Sequence, residues 1–201
     1  MKLDPFYLIV NSSAWIERLV PLGVKLVQLR IKDQDEAILR REIRASKTVC
    51  EGQGCQLVVN DYWRIAIEEG CDFVHLGQED LALADVGAIR RAGVRLGLST
   101  HDKVELETAL FAEPDYVALG PIYRTTLKAM KWPPQGLDRV SVWKHRIGNL
   151  PLVAIGGLTV ERISGVFAQG AQSAAVVTDI TRNAHPEARA LEWLAGTAQW
   201  R

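Results

Sequence analysis

Short apolar runs alternate with longer stretches of helical periodicity along the whole chain. Most of the runs are continuously apolar, as strands covered on both faces must be. Eight such runs predict strands at Phe6–Val10, Leu26–Arg30, Gln56–Asn60, Phe73–Leu76, Arg95–Ser99, Tyr116–Gly120, Leu152–Ile155 and Ser173–Val177. The alternation is typical of βα units around a parallel sheet, and eight units predict an α/β fold, a single (β/α)8 TIM barrel over residues 1–201.

The stretches between the strands carry apolar residues at helical spacing. They predict helices at Asp35–Glu51, Asp85–Ala92, Lys103–Ala112, Val160–Gln169 and Pro186–Trp200. One segment, Ile122–Gly136, has no helical periodicity and carries Arg124, Lys128 and Lys131. Long loops inside compact domains are usually functional, so we expect this loop to close over a site; a solvated surface excursion is the alternative.

Composition excludes several function classes. The 24 basic and 24 acidic residues give a formal net charge of +0, so no global field favours nucleic acid or an anionic membrane. The three cysteines show no Cys-x-x-Cys spacing, which argues against a disulfide framework or a structural zinc site. Neither a signal-peptide pattern nor a membrane-length apolar run occurs, and we therefore expect a cytoplasmic protein. The oligomeric state stays open, a homo-oligomer included.

In parallel barrels the working residues follow the C-terminal ends of the strands. At the end of the second strand, Gln28, Arg30 and Lys32 alternate onto one face and can converge on an anion. An arginine fork together with a lysine point charge suits a diphosphate. A merely solvated strand end is the alternative.

Two acids follow the next pair of strands. Asp61 comes directly after the third strand and Asp80 shortly after the fourth, so a barrel brings them near each other. Two carboxylates that share phosphate oxygens with a metal are typical of Mg²⁺. As alternatives, Asp61 caps a helix over Tyr62–Glu69 and Asp80 one over Leu81–Ala92.

Small and hydroxyl residues follow the later strands. Ser99 ends the fifth, with His101 close behind as a ligand-orienting group or a proton-transfer group. Gly157 closes a Gly-Gly pair after the seventh strand, and Val177 and Thr178 end the eighth. Backbone N–H groups at such loops commonly hold a phosphate in this architecture.

Six short motifs, in order and spacing, closely resemble the thiamine-phosphate synthase family over almost the whole chain. They are Val27-Gln28-Leu29-Arg30-Ile31-Lys32, Asn60-Asp61, His75-Leu76-Gly77-Gln78-Glu79-Asp80-Leu81, Gly97-Leu98-Ser99-Thr100-His101, Gly120-Pro121-Ile122-Tyr123 and Ala154-Ile155-Gly156-Gly157. The resemblance implies joining of hydroxymethylpyrimidine diphosphate to thiazole phosphate, with release of pyrophosphate and a requirement for Mg²⁺. It further implies ionisation of the pyrimidine to a stabilised cation before the thiazole nitrogen attacks.

The resemblance also assigns roles. It makes Asp61 and Asp80 the metal ligands. Contacts to the pyrimidine diphosphate are implied for Gln28, Arg30, Lys32, Asn60, Ser99 and Lys128, of which Arg30, Lys32, Ser99 and Lys128 are candidate catalytic residues. The thiazole-phosphate side is implied for Thr125, Thr126, Leu127, Gly157, Val177 and Thr178.

Two departures from the family pattern affect the thiazole side. Leu127 stands where the family has a second threonine before the loop lysine. After the eighth strand the family usually has Ser and a small residue, whereas this chain has Thr178 and Asp179. Asp179 either adds negative charge near the phosphate or caps the last helix and points away.

Two rival functions use the same barrel. A thiazole tautomerase of the same superfamily carries a His where Pro121 stands here, so this chain lacks the residue that the resemblance implies for proton transfer. A non-catalytic phosphate-binding regulator needs only the glycine loops. The full set of Arg30, Lys32, Asp61 and Asp80 favours a diphosphate substrate and hence the synthase.

Overall fold

The computed structural model describes residues 2–125 and 131–201 and contains a closed parallel barrel. Strands β1 to β8 of the described residues span Phe6–Val10, Leu26–Leu29, Gln56–Asn60, Phe73–Leu76, Arg95–Thr100, Tyr116–Leu119, Leu152–Ile155 and Ser173–Val176. Each strand pairs with the next in sequence. β1 also pairs with β8, with Leu8 opposite Val27 on one side and Val176 on the other, so the sheet has no free edge.

Helices connect the strands and cover the outside of the barrel. Within the described residues, α1 to α10 span Ser13–Leu19, Glu36–Gln53, Trp63–Glu68, Gln78–Leu83, Val86–Arg91, Lys103–Phe111, Gly136–Ile147, Ile163–Ala168, Thr178–Thr181 and Pro186–Thr197. Short 3-10 turns lie at Val20–Leu22, Val160–Arg162 and Ala198–Trp200. The described part of the chain contains no helix both long and apolar enough to cross a membrane.

Strand residues divide between two apolar cores because successive side chains point to opposite faces of the sheet. In β1, Phe6, Leu8 and Val10 point outward and pack under the helices. Tyr7 and Ile9 point into the barrel, where they meet a smaller cluster from the other strands. The inner cluster fills the N-terminal part of the barrel interior, and polar side chains line its C-terminal mouth.

The predicted fold is confirmed, and the differences lie at element ends. The alternative roles of Asp61 and Asp80 as helix caps are wrong. Tyr62, not Asp61, occupies the cap position of α3, and Asp61 adopts a left-handed φ of 65°. Asp80 lies inside the first turn of α4, which ends at Leu83. A separate helix, α5, follows, and Asp85 caps it by accepting a 2.8 Å hydrogen bond from the Ala88 N–H.

Candidate active site at the barrel mouth

A cavity of about 180 Å³ opens at the C-terminal ends of the strands. The predicted site residues that line it are Gln28, Arg30, Asn60, Ser99, Thr125, Gly157, Val177 and Thr178. Polar side chains of β2 to β5 form one side of the cavity, and backbone, glycine and apolar groups of the β6 to β8 ends form the other. Thr126, Leu127 and Lys128 lie outside the described residues, so their predicted roles stay predictions.

A chain of hydrogen bonds crosses the floor of the cavity. The Gln28 amide Nε2 donates to the Tyr7 hydroxyl at 2.9 Å, and the Tyr7 hydroxyl lies 3.0 Å from that of Tyr116. The Tyr116 hydroxyl lies 2.7 Å from His75 Nδ1, and His75 Nε2 lies 2.8 Å from Ser99 Oγ. These five side chains therefore link β1 to β6 through the barrel interior.

Burial keeps the aromatic side chains of this hydrogen-bond chain uncharged. Desolvation raises the pKa of Tyr7 and Tyr116 above the ordinary range of a phenol. Desolvation, followed by the positive charge of Arg30, lowers the pKa of His75 to about 4. At neutral pH the floor of the cavity is consequently a neutral, polar surface.

A glycine makes room for the Tyr116 ring in this hydrogen-bond chain. Gly97 on β5 pairs with Tyr116 on β6, and a Cβ at Gly97 would lie 2.2 Å from the tyrosine ring. The ring also stacks on His75, with 5.5 Å between the ring centroids. The absent side chain at Gly97 thus allows the aromatic ring to lie flat inside the barrel.

No role was predicted for Tyr7, His75 or Tyr116, because the predictions rest on polar residues at the C-terminal ends of the strands. A usable signal existed. His75 is a polar residue inside an apolar strand, and strand alternation points it the same way as the predicted Asn60, its register partner on β3. The inward positions of neighbouring strands identify the floor of the site.

The two predicted metal acids come together beside the cavity. The Asp80 carboxyl is hydrogen-bonded to that of Asp61, and Lys32 Nζ forms an ion pair with Asp61. Desolvation, together with the neighbouring Asp61 charge, raises the pKa of Asp80. Within the described residues, no group of three or more histidine, cysteine or acidic side chains is arranged to hold a metal. An ion at this cluster would take two carboxylates from the described residues and its further ligands from substrate or water.

The opposite wall is built from backbone. Ile122 N–H donates to the Ile155 carbonyl and Tyr123 N–H to that of Gly156, both at 2.9 Å. Gly157 has a φ of +65°, and a Cβ there would lie 2.5 Å from the Arg124 carbonyl oxygen. The loops after β6 and β7 thus approach each other too closely for any residue but glycine at position 157.

Asp179 points away from the cavity, as one of the two sequence alternatives expected, although it caps no helix. Its Oδ2 accepts 2.8 Å hydrogen bonds from Arg189 Nε and Trp193 Nε1 of α10. Arg189 forms an ion pair with this carboxylate as well as with Glu161 and Glu192, and Thr178 alone of the two residues lines the cavity. The Asp179 carboxylate therefore does not face the cavity.

His101 also lines the cavity but is held from behind. Its Nδ1 lies 2.7 Å from Glu105 Oε2, and its ring stacks on Trp132 with centroids 4.1 Å apart. Gln135 Nε2 donates to the His101 carbonyl at 2.8 Å. These contacts favour the predicted orienting role and fix the second half of the loop after β6 against the β5 end.

Comparisons with known proteins agree on one family. A family model described as thiamine monophosphate synthase matches residues 6–180. The thiamine-phosphate synthase of Rhizobium etli is 68% identical over 201 residues, covering 100% of this chain and 98% of the relative. That of Neisseria meningitidis serogroup A is 46% identical over 183 residues, covering 91% and 89%.

Among solved structures, the thiamine phosphate pyrophosphorylase from Pyrococcus furiosus superposes with a TM-score of 0.86. It covers 98% of this chain and 96% of its own at 19% identity, which supports the fold alone. The family match and the sequence relatives confirm the resemblance found in the motifs. The chain belongs to the thiamine monophosphate synthase family.

Proposed function

We propose that this chain joins hydroxymethylpyrimidine diphosphate to thiazole phosphate at the barrel mouth, giving thiamine phosphate and pyrophosphate. The transferase activity follows from family membership and from the relatives of high identity. The observation that carries the site assignment is the cluster of Lys32, Asp61 and Asp80 next to a cavity lined by Arg30. The proposal treats residues 1–201 as one catalytic domain.

The polar side of the cavity binds the diphosphate. Arg30 offers a planar fork for phosphate oxygens, Lys32 a point charge, and Asn60 and Ser99 neutral donors. Asn60 is 5% exposed and faces the cavity, so its amide loses little bound water when a ligand binds. Lys128, outside the described residues, completes the positive charge in this proposal.

Asp61 and Asp80 would hold Mg²⁺ when the diphosphate is bound. Their position supports this assignment: desolvation, followed by the charge of Asp61, raises the pKa of Asp80, and a bound cation would favour the ionised carboxylates of both. Bound Mg²⁺ supplies neutralisation of the charge that develops on the diphosphate. Lys32 forms an ion pair with Asp61, and it would be free to contact phosphate if a cation held that carboxylate instead.

The backbone side of the cavity binds the thiazole phosphate. Gly157 and Thr178 offer N–H and hydroxyl donors, and Val177 and Thr125 line the wall beside them. Thr126 and Leu127 belong to this side in the proposal. Arg162 supports the glycine turn, because its Nη1 donates to the Gly157 carbonyl at 2.7 Å and its guanidinium stacks on Tyr123.

The reaction then needs positioning and charge more than a strong base. The bond between the pyrimidine methylene carbon and the diphosphate oxygen breaks, and its electron pair leaves with the diphosphate. The thiazole nitrogen donates its lone pair to the same carbon. Arg30, Lys32 and Ser99 stabilise the leaving group, while the neutral floor neither attacks nor deprotonates the cation.

Phosphorylated small molecules are thus the ligands of this site. The same proposal puts the reaction in the cytoplasm, and the free thiols of Cys50, Cys55 and Cys71 support a reducing compartment.

The test is a product assay on the purified chain with both substrates. We expect thiamine phosphate and pyrophosphate in equal amounts, with Mg²⁺ required and chelation abolishing turnover. Each substrate alone is the control. Thiazole isomerisation without coupling, or binding without any product, would contradict the proposal.

A further inference from the structure

The hydrogen-bond chain on the cavity floor can run in two directions. Gln28 Nε2 only donates, so the Tyr7 oxygen is already an acceptor at one end. A neutral His75 has one ring N–H, on either Nδ1 or Nε2. The choice of nitrogen decides whether His75 donates to Ser99 or to Tyr116.

In the first direction, Tyr7 donates to Tyr116 and Tyr116 donates to His75 Nδ1. The ring proton then lies on Nε2 and is donated to Ser99 Oγ. The Ser99 hydroxyl proton remains free and can point into the cavity. The hydroxyls of Tyr7 and Tyr116 and the ring N–H of His75 each have an acceptor in this arrangement.

In the second direction, Ser99 donates to His75 Nε2, His75 Nδ1 donates to Tyr116, and Tyr116 donates to Tyr7. The Tyr7 hydroxyl proton then has no acceptor along the chain. Tyr7 is 1% exposed, whereas Ser99 is only half-buried at the cavity wall. An unpaired donor is more costly on the buried residue, so the first direction is favoured in the free enzyme.

We propose that His75 is a positioning residue that holds the Ser99 hydroxyl as a hydrogen-bond donor toward the diphosphate. This inference rests on the proposed function, in which Ser99 contacts the pyrimidine diphosphate. Phosphate oxygens accept hydrogen bonds and cannot donate when ionised, so a serine committed to donation recognises them better than a freely rotating one. The Ser99 backbone is fixed as well, because Gln78 Nε2 donates to its carbonyl at 2.6 Å.

Distance and stacking make His75 suited to this role. Its Nε2 lies 2.8 Å from Ser99 Oγ while its ring stacks on Tyr116 at an interplanar angle of 18°. The ring therefore has no freedom to turn away from the serine. Tyr116 and Tyr7 act one step further back by fixing which nitrogen carries the proton.

The first experiment measures the tautomer directly by ¹⁵N NMR of the free protein near neutral pH. We expect the His75 ring to carry its proton on Nε2. His101, whose Nδ1 faces the Glu105 carboxylate, serves as the internal contrast. His75→Gln identifies the signal, and His145→Gln on the exposed face of α7 is the matched control. A proton on His75 Nδ1 would overturn the proposal.

The second experiment compares His75→Phe with His75→Gln. Phe keeps the ring stack and loses the donor, and we expect kcat to fall roughly 10- to 100-fold, the scale of one hydrogen bond to a charged group. Gln can donate to Ser99 from a similar position and should recover most of that loss. Circular dichroism and thermal unfolding check that both variants fold. Equal losses in Phe and Gln variants that fold normally would indicate a packing role and overturn the proposal.

The third comparison is a double-mutant cycle with Ser99→Ala. If His75 acts through Ser99, adding His75→Phe to Ser99→Ala should lower kcat by less than about twofold. Full additivity would overturn the proposal, as would a fully active Ser99→Ala enzyme. Failure of the proposed function is distinct: the unmodified enzyme would form no thiamine phosphate, whatever tautomer NMR reports.

Discussion

In the proposed function, the two sides of the cavity each hold a phosphate, by different means. On the β2 to β5 side the interacting groups are side chains: Arg30, Lys32 and the Asp61–Asp80 pair carry the charge. On the β6 to β8 side the tools are main-chain groups, brought together because Gly157 carries no side chain. The chain therefore keeps a formal net charge of +0 and still binds two phosphorylated substrates through local sites.

The difference teaches which substitutions each side tolerates. Removing a charge on the first side changes chemistry and leaves packing almost untouched, because those side chains lie at the rim. Adding a methyl group on the second side changes packing first and binding only as a consequence. Activity and stability should therefore separate on the first side and fall together on the second.

The largest effect is expected from the acid pair. Asp61→Asn and Asp80→Asn should each reduce turnover by roughly 100- to 1,000-fold while the melting temperature stays within a few degrees, since each removes charge from the proposed metal site. Steady-state rates across a Mg²⁺ titration measure this. Asp85→Asn, which changes a helix cap by a residue of similar capping strength, is the control. Near-normal Mg²⁺-dependent rates in both variants would remove the metal assignment.

The arginine and lysine should follow. Arg30→Ala and Lys32→Ala should each lower kcat/KM for the diphosphate substrate by about 10- to 100-fold, because a charged hydrogen bond to phosphate is lost. Arg41→Ala, whose side chain is 71% exposed on α2, is the matched control. If kinetics with both substrates stay unchanged, this strand end is merely solvated.

The two basic variants should differ from each other in metal binding. Lys32→Ala should bind Mg²⁺ more tightly in the absence of substrate, because the ion no longer competes with the ammonium group for Asp61. Arg30→Ala should not gain affinity, since it leaves that ion pair in place. Isothermal titration of the two variants with Mg²⁺ separates them. A tighter site in Arg30→Ala alone would contradict the exchange of lysine for metal.

The sequence predicted the first side better than the second, for a physical reason. Charged residues at strand ends, such as Arg30 and Asp61, are visible as departures from an apolar run. Tyr7 and Tyr116 are amphipathic, so inside a strand they look like core residues, and only the closed barrel brings their hydroxyls together. The contact between the turn at Gly157 and the loop after β6 joins segments distant in sequence, so no local pattern predicts it.

Two glycines with the same backbone conformation test the second side. Gly157 and Gly93 have φ of +65° and +70°, but only Gly157 has atoms in the path of a Cβ, with nothing within 4 Å at Gly93. Both Ala variants should lose about 1 kcal/mol from the left-handed conformation. Gly157→Ala should lose about 1–3 kcal/mol more and raise the KM for thiazole phosphate, because the loop after β6 must move. Equal unfolding free energies in the two variants would mean that the close approach is unimportant.

The smallest effect on activity is expected at Asp179, where the second side carries a charge that faces away from the cavity. Its carboxylate is 14% exposed and pairs with an Arg189 side chain of equal exposure. Asp179→Asn keeps an oxygen that can accept from Trp193 Nε1 but loses the ion pair, so we expect a loss of about 1–2 kcal/mol in unfolding free energy. Kinetic parameters for both substrates should stay within about twofold, because the charge never faced the phosphate. Thr178→Val is the contrasting variant: it removes the hydroxyl that lines the cavity, so it should raise the KM for thiazole phosphate with little change in stability. A clear gain in thiazole-phosphate affinity in Asp179→Asn would show that the carboxylate repels the substrate. It would contradict the orientation of Asp179 towards Arg189 and Trp193, away from the cavity.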